Sequence, residues 1–314
     1  MTIRHLKIFI AVAETGTMSS AAAKYFISQP TVSQAVRELE TYYEVLLFER
    51  IGKKLYITET GKNLLTYARI AVKQFDELNN YMFTEGHAEK IRIGATITVG
   101  SCLLPSLLKD FRHQMPQIET FAYMNNTKFI EEKILKAELD IGIVEGQVKN
   151  HDLINIPVVK DYLVIICGKD HRFAGRSSIA ISELENQSFV MREEGSGTRE
   201  LFENDLQKHG VNYKIGWEVT CPDVIKKAVM ENNCLAAISI RLVEEELKSG
   251  KLYAIKSSEN AWDRSFNIVY YKNKYISESI KTIMDIVTQY NKSEFLKDIP
   301  TGSLVNSSIL KDNC

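Results

Sequence analysis

The sequence is poor in the residue patterns that build metal centres and disulfide frameworks. Its 314 residues include five cysteines, at positions 102, 167, 221, 234 and 314, without a CxxC pair, and six histidines without an HxxxH spacing. We therefore expect neither a zinc site nor a disulfide framework. Cys221 precedes Pro222 at a predicted helix start, where a thiolate could be stabilised for redox sensing. Our expectation for the cysteines is instead burial as small apolar residues.

Signals for catalysis, export and membrane insertion are also missing. No Ser, His and acid arrangement and no phosphate-binding glycine loop stands out, so we expect neither an enzyme nor a cofactor. No signal peptide is recognisable, and no apolar run approaches the length of a membrane span. The sequence thus favours a soluble, cytoplasmic protein without a membrane partner.

The whole chain has almost no excess of positive or negative charge, since its formal net charge is -1. The first 73 residues nevertheless hold 10 Lys and Arg against 6 Asp and Glu, and the remainder holds 29 against 34. A local basic patch is what contacts phosphate, and the whole-chain sum hides it. Nucleic-acid binding therefore remains open for the N-terminal part alone.

The N-terminal stretch predicts three helices. Thr2 is a candidate cap for the first, and Gly16 is placed to end it. Residues 19–25 predict a short second helix, residues 26–28 a turn, and Ser28 the cap of a third helix that starts at Gln29. Two short helices joined by a tight turn are typical of a helix-turn-helix.

The third helix has two distinct faces. Val32, Val36, Leu39 and Tyr43 form one inward stripe. The opposite face is polar and supplies groups for base edges and phosphates, although an ordinary solvated face is the alternative. The predicted DNA contacts on this helix are Ser28, Gln29, Pro30, Thr31, Ser33, Gln34 and Arg37.

A basic hairpin is predicted directly after the third helix. Residues 46–50 and 54–57 bracket Ile51, Gly52 and Lys53, so the tip of the hairpin carries positive charge. Such a wing beside a recognition helix would clamp phosphates. The predicted phosphate contacts are Arg50, Lys53 and Lys54.

The order of these motifs resembles a known family. SQPTVSQAVRELE, followed by LLFER and then TETGKNLL, is similar to the LysR-type transcriptional regulators. The resemblance implies a winged helix-turn-helix that binds double-stranded promoter DNA. It also implies a dimerising linker helix and a two-lobed α/β effector domain that resembles periplasmic binding proteins. Assembly to a homotetramer is likewise implied by the family.

From Thr58 to about Phe83 the sequence predicts one long helix. Positions 64, 68, 71, 75, 78 and 82 form an a/d seam over nearly three heptads. Such a stripe favours pairing with a second copy, and packing on its own domain is the alternative.

The rest of the chain alternates predicted strands and helices, which favours parallel sheets covered by helices in two lobes. The strands include residues 154–159 and 162–167, and the helices include residues 101–113. We expect a DNA-binding domain over 1–58, a linker helix over 59–87, a first lobe over 88–161 plus 266–295, a second lobe over 162–265, and a flexible tail over 296–314.

Two stretches predict a ligand cleft. Residues 96–101 and 194–199 each follow a strand and open a helix, with hydroxyls, glycines and free amides that favour a small anion. Simple capping of their own helices is the alternative. The second stretch resembles LysR-type members that sense small anions or metabolites of assimilation. The candidate effector contacts are Thr96, Thr98, Gly100, Ser101, Asn126, Thr127, Ser196, Gly197, Thr198, Arg199, Thr220 and Asp223.

Two functions compete on this evidence. One is a ligand-responsive transcription factor, and the other is a solute-binding module whose N-terminal helices serve only for assembly. A polar recognition helix with a basic wing has no obvious purpose in the second, so the sequence favours the first.

Overall fold

The computed structural model describes residues 1–51, 54–83, 90–146, 148–259, 262–291 and 299–306. The chain forms two compact units, the first of which comprises Met1–Ala88 and the short segment Leu135–Glu138. The N-terminal elements of this unit are the helices α1 (Ile3–Thr15), α2 (Met18–Tyr25) and α3 (Gln29–Tyr43), the strands β1 (Phe48–Ile51) and β2 (Lys54–Ile57), and the helix α4 (Glu59–Phe83).

The predicted caps fix the helix boundaries in the first unit. Thr2 caps α1 together with His5, and Gly16 ends that helix at a φ of 71°, where glycine carries no steric penalty. Phe26 ends α2 with a φ of 53°, an uncommon conformation for a residue with a side chain. Ser28 then caps α3, with Pro30 in the first turn. The helix-turn-helix is confirmed.

The inward stripe of α3 is confirmed except at its last position. Val32, Val36 and Leu39 are buried against α1, α2 and the hairpin. Tyr43 is 40% exposed, so its predicted burial is wrong. The helix ends at this residue, with Glu44 in the left-handed region, and the side chain therefore lies beyond the core.

The helix α4 uses its apolar stripe in two ways. Ala68 is buried and Leu64 half-buried in a cluster that includes Leu6 and Phe9 of α1. The predicted seam is therefore wrong at these two positions, where the helix packs on its own domain. Ala71, Phe75 and Leu78 are exposed. The side chain of Met82 lies outside the described residues.

The second unit contains eleven strands and seven α-helices within its described residues. The strands are β3 (Lys90–Thr96), β4 (Glu119–Asn125), β5 (Ile141–Glu145), β6 (Leu153–Gly168), β7 (Ser178–Ala180), β8 (Ser188–Met191), β9 (Lys214–Glu218), β10 (Ala236–Ser239), β11 (Leu252–Ser257), β12 (Asp263–Tyr271) and, near the C-terminal end, β13 (Gly302–Val305). The helices are α5 (Ile97–Cys102), α6 (Leu104–Gln114), α7 (Thr127–Leu135), α8 (Gly197–Lys208), α9 (Pro222–Glu231), α10 (Glu244–Lys248) and α11 (Glu278–Gln289), with 3-10 turns at Ile181–Leu184 and Ile240–Leu242.

The first lobe is built on the strand order β4-β3-β5-β12-β6. Strands β3, β4 and β5 are parallel, and β12 runs antiparallel to β5 and to the first half of β6. Helices α6 and α11 contribute Leu107, Phe111, Ile283 and Val287 to the buried cluster on this sheet. Because the carboxyl ends of β3 and β5 lie side by side, Thr96 and Glu145 meet at one edge.

The second lobe is built around the other half of β6. Strands β10 and β11 both pair antiparallel with this half, and β13 lies parallel between β11 and β7. Strands β8 and β9 form a separate parallel pair. The lobes are therefore joined by β6, which pairs with β12 up to Tyr162 and with β10 from Leu163 onward.

Three elements correct the sequence expectations. Two separate strands were expected over 154–159 and 162–167, but β6 is one 16-residue strand, because its halves serve different sheets. The expected helix over 101–113 is two helices, α5 and α6, which meet at Leu103. The tail that was expected to be flexible contributes β13, which inserts between two strands and buries Leu304.

Candidate DNA-binding surface and effector cleft

The recognition helix α3 presents an exposed polar face. Ser28, Gln29, Pro30, Thr31, Gln34 and Arg37 are exposed, and Ser33 is half-buried. The Ser28 hydroxyl accepts from the backbone N–H of Thr31 at 3.3 Å and lies 2.8 Å from the Thr31 hydroxyl. The structure therefore brings the predicted helix residues to one accessible surface.

Gln34 is held by a carboxylate on the same face. Its Nε2 donates to Oε1 of Glu38 at 2.9 Å, and Oε2 of Glu38 lies 2.9 Å from Nε2 of His5. The hydrogen bond from Gln34 lowers the pKa of Glu38. Sequence reasoning missed both partners. The spacing of four between Gln34 and Glu38 was a usable signal, whereas nothing in the sequence pointed to His5.

The wing is the hairpin of β1 and β2, in which Phe48 pairs with Ile57 and Arg50 with Leu55. Arg50 is exposed on it. Lys53 lies outside the described residues, as does the side chain of Lys54. Their predicted phosphate contacts therefore stay predictions.

In the second unit, the edge formed by β3 and β5 carries a buried carboxyl group. Glu145 is 1% exposed and accepts hydrogen bonds from the hydroxyls of Thr96 and Thr98. Burial raises the pKa of Glu145, although the guanidinium groups of Arg264 and Arg192 act in the opposite direction. Sequence reasoning named both threonines but missed the acid.

The two lobes touch beside Glu145. Nδ2 of Asn126 in the first lobe donates to the backbone oxygen of Glu194 in the second lobe at 3.2 Å. Within the first lobe, the Thr127 hydroxyl donates to the backbone oxygen of Glu145 at 2.7 Å. A Cβ on Gly197 would lie 2.6 Å from that same backbone oxygen, so only glycine allows this approach. The start of α8 thus abuts the end of β5.

A buried ionic network lies where β6 and β12 cross between the lobes. Asp161 pairs in register with Arg264, whose Nε donates to the carboxylate at 2.7 Å. Nη1 of Arg264 donates to the hydroxyl of Thr198 at 2.8 Å. Arg264 therefore connects the antiparallel pair of β6 and β12 with the first turn of α8. The sequence carried no signal for this pairing, because the two residues lie 103 positions apart.

Two buried donors at this place have no hydrogen-bond partner within the described part of the chain. They are the hydroxyl of Ser196, at the N-cap of α8, and Nη2 of Arg264. The Ser196 residue is 2% exposed, and the Arg264 side chain is 5% exposed. Because buried donors are normally paired, both point to a missing acceptor.

Other predicted effector contacts are engaged elsewhere or exposed. The Ser101 hydroxyl bonds the backbone oxygen of Ile97 in its own helix. Arg199 donates to the carboxylates of Glu203 and Glu218. Local partners therefore engage both groups, which weighs against their predicted roles as ligand donors.

Two further candidates are exposed, and a third is buried against a side chain of β4. Thr220 and Asp223 are exposed, and Asp223 pairs with Lys226 at 3.1 Å. Gly100 is buried, and a Cβ there would meet the side chain of Met124 at 2.3 Å. Its predicted effector contact stays a prediction.

Among the described residues there is no group of three or more His, Cys, Asp and Glu able to hold a metal ion. Cys167 and Cys234 are buried as expected, Cys102 is partly buried, and burial raises the pKa of all three thiols, that of Cys167 to about 12. Cys221 is exposed, so its expected burial is wrong. None of the described helices combines the length and apolar character that crossing a membrane requires.

Two family models match the chain. The model "Bacterial regulatory helix-turn-helix protein, lysR family" matches residues 3–62, and the model "LysR substrate binding domain" matches residues 84–292. The first match lies in the first unit, and the second covers most of the second unit.

Similar proteins and structures agree with these models. The chain is 28% identical to the HTH-type transcriptional regulator YeiE of Escherichia coli K12 over 285 residues, which cover 91% of this chain and 96% of that protein. The structure of a full-length OxyR variant from Pseudomonas aeruginosa has a TM-score of 0.66 at 21% identity and covers 91% and 94% of the two chains.

A third similarity concerns the second unit alone. The CcmR regulatory domain of Synechocystis PCC6803, in complex with 2-PG, has a TM-score of 0.61 at 27% identity and covers 65% of this chain and 98% of that one. With both family models matched over most of its length, the chain belongs to the LysR family of transcriptional regulators and is not an enzyme.

Proposed function

We propose that this LysR-type regulator is controlled by a small anion bound between its two lobes, at the N-terminus of α8. The observation that carries the proposal is the pair of buried, unpaired donors at Ser196 and Arg264. Both lie beside a 12-residue helix whose first amides and dipole favour negative charge. A ligand oxygen there would satisfy both groups.

The residues around this point define the chemistry that the ligand must match. Thr96, Thr98 and Glu145 lie on the side of the first lobe, where Thr127 bonds the backbone oxygen of Glu145, and Asn126 connects the two lobes through the backbone oxygen of Glu194. The CcmR domain was solved with 2-PG, and a small ligand in the same lobed architecture supports the proposal. A ligand that bridges both lobes would change their relative angle and thereby the geometry of the bound DNA.

We further propose that α3 reads promoter DNA in the major groove. Gln29, Ser33, Gln34 and Arg37 would contact bases, and Arg50 with Lys53 and Lys54 would hold phosphates. The exposed polar face of α3 supports this division. Because its target is promoter DNA, we expect the protein to act in the cytoplasm.

The proposed DNA-binding form is a homodimer held by α4 that assembles further to a homotetramer. Phe75 and Leu78 are 40% and 55% exposed, and together with Ala71 they leave an apolar stripe on the outer part of this helix. A two-fold dimer would place two recognition helices on two half-sites.

The anion site is tested by a thermal-shift screen of the full-length protein. Small carboxylates, phosphates and sulfur oxyanions are compared with their neutral analogues, because a ligand that binds only the folded state raises the unfolding temperature. Ser196→Ala removes one donor to a charged ligand, which is worth about 1.5–3 kcal/mol, so affinity for the best anion should fall about 10- to 100-fold.

Ser101→Ala is the matched control, since that hydroxyl is exposed and bonded within its own helix. It should leave anion affinity unchanged. Equal anion affinity in wild type and Ser196→Ala would place the ligand elsewhere. If only neutral compounds raise the unfolding temperature, the cleft remains the proposed site but its ligand is not an anion.

A further inference from the structure

Three side chains on the recognition-helix side of the first unit form a continuous hydrogen-bonded chain. His5 on α1 contacts Glu38 on α3, and Glu38 contacts Gln34 one turn earlier on the same helix. All three line a groove of about 610 Å³ between the start of α1 and α3. These hydrogen bonds therefore connect His5, which caps α1, with Gln34, a proposed base reader.

The position of the proton on His5 follows from its cap. The backbone N–H of Thr2 donates to Nδ1 of His5 at 3.0 Å, so Nδ1 acts as an acceptor. Neutral imidazole then carries its proton on Nε2, which faces the Glu38 carboxylate. His5 thereby holds one oxygen of Glu38 and leaves the other for Gln34.

The carboxylate fixes which way the Gln34 amide points. An ionised carboxylate only accepts hydrogen bonds, so it attracts the amide nitrogen and repels the amide oxygen. The second hydrogen on Nε2 and the oxygen Oε1 then remain together on the opposite edge of the amide. This edge offers one donor and one acceptor.

That combination distinguishes adenine from guanine. Adenine presents an acceptor at N7 and a donor at N6 in the major groove, whereas guanine presents two acceptors. An amide turned by 180° would offer its nitrogen to the groove, but its oxygen would then face the carboxylate of Glu38. The turned amide, which suits guanine, is thus disfavoured.

We infer that Glu38, held by His5, is a positioning residue that fixes the amide of Gln34 and so selects adenine over guanine at one position of each operator half-site. The inference rests on the proposed role of Gln34 as a base reader. The same inference predicts that Glu38 weakens binding to every DNA sequence, because its negative charge lies beside the duplex.

The experiment begins with selection of preferred duplexes from a random library by the full-length protein. Binding is then measured by fluorescence anisotropy on the selected duplex and on its single-base substitutions. Gln34→Ala should lose the preference for adenine at one position per half-site. Glu38→Ala should reduce the preference for adenine over guanine there at least about fivefold, the lower end of what one bidentate contact contributes.

Two further variants separate positioning from charge. Glu49→Ala removes a negative charge from an exposed residue of β1, so it should strengthen binding to all duplexes without changing the base preference. Glu38→Gln keeps an acceptor oxygen without the charge and should retain more of the preference than Glu38→Ala. On the Gln34→Ala background, Glu38→Ala should change no base preference at all.

The outcomes distinguish the proposed role of Gln34 as a base reader from the inferred role of Glu38 as a positioning residue. If Gln34→Ala leaves every base preference unchanged, Gln34 is not a reader and the proposed contact is wrong. If Gln34→Ala removes the adenine preference but Glu38→Ala keeps it in full, Gln34 remains a reader and the positioning role is overturned. Unfolding temperatures of the variants, compared with wild type, identify any loss of fold.

Discussion

Replacing Arg264 by methionine tests the network between the lobes. The side chain of Arg264 is 5% exposed and that of Asp161 is fully buried, with 2.7 Å between Nε and the carboxylate oxygen. Removing one partner of a buried ion pair leaves the other charge uncompensated, at a cost of about 3–5 kcal/mol.

The structure places Arg264→Met at the lower end of that range. The Ser239 hydroxyl still donates to Asp161 at 2.7 Å, and Nε of Arg241 lies 3.8 Å from the carboxylate. We therefore expect the free energy of unfolding of the second unit to fall by about 3 kcal/mol. For a unit of this size, that corresponds to a drop of about 6–12 °C in its unfolding temperature.

The assay is thermal and urea unfolding of the full-length protein, with Lys90→Ala as the control. Lys90 pairs with Glu119 at 2.9 Å, but both side chains are about half exposed, so its loss should cost less than about 1 kcal/mol. The double variant Asp161→Asn, Arg264→Met should regain part of the lost stability because no buried charge remains unpaired. Equal unfolding temperatures for Arg264→Met and Lys90→Ala would refute the reasoning.

Two predictions concern assembly and pH. Phe75→Glu places an unpaired charge in the exposed stripe of α4, so the mass in solution should fall below that of the wild-type oligomer; an unchanged mass, measured by light scattering, would show that the stripe packs elsewhere. Because burial raises the pKa of Glu145, its carboxyl becomes negatively charged only at a pH above the usual range for glutamate. Anion affinity should therefore weaken as the pH rises through that raised pKa. Titration calorimetry from about pH 5 to 9 should show this slope in wild type and lose it in Glu145→Gln, whereas the same slope in both proteins would contradict the role of this carboxyl.

Local signals in the sequence were sufficient for the helix-turn-helix of the first unit. Thr2, Gly16 and Ser28 act over one helical turn, and the cap or stop they provide depends on their own chemistry. The stripe of Val32, Val36 and Leu39 likewise needs only helical periodicity. The helix-turn-helix, its polar face and the family resemblance could therefore be predicted without coordinates.

The same periodicity could not decide where the seam of α4 packs. An a/d stripe satisfies a second chain and a neighbouring helix equally well, and α1 proved to cover Leu64 and Ala68. Only the tertiary structure shows which part of the stripe is left exposed for a second copy of the chain.

By itself, the sequence determined the DNA-binding motif, the alternating α/β pattern and the two glycine- and hydroxyl-rich stretches of the proposed cleft, because each rests on residues close together in the chain. The tertiary structure alone decided which charges meet there. Arg264 meets Asp161 across the antiparallel pair of β12 and β6, and Glu145 meets Thr96 across the parallel pair of β5 and β3. Such contacts depend on strand pairing and register, which side-chain periodicity does not encode, so the buried charges of the proposed cleft became visible only in the folded chain.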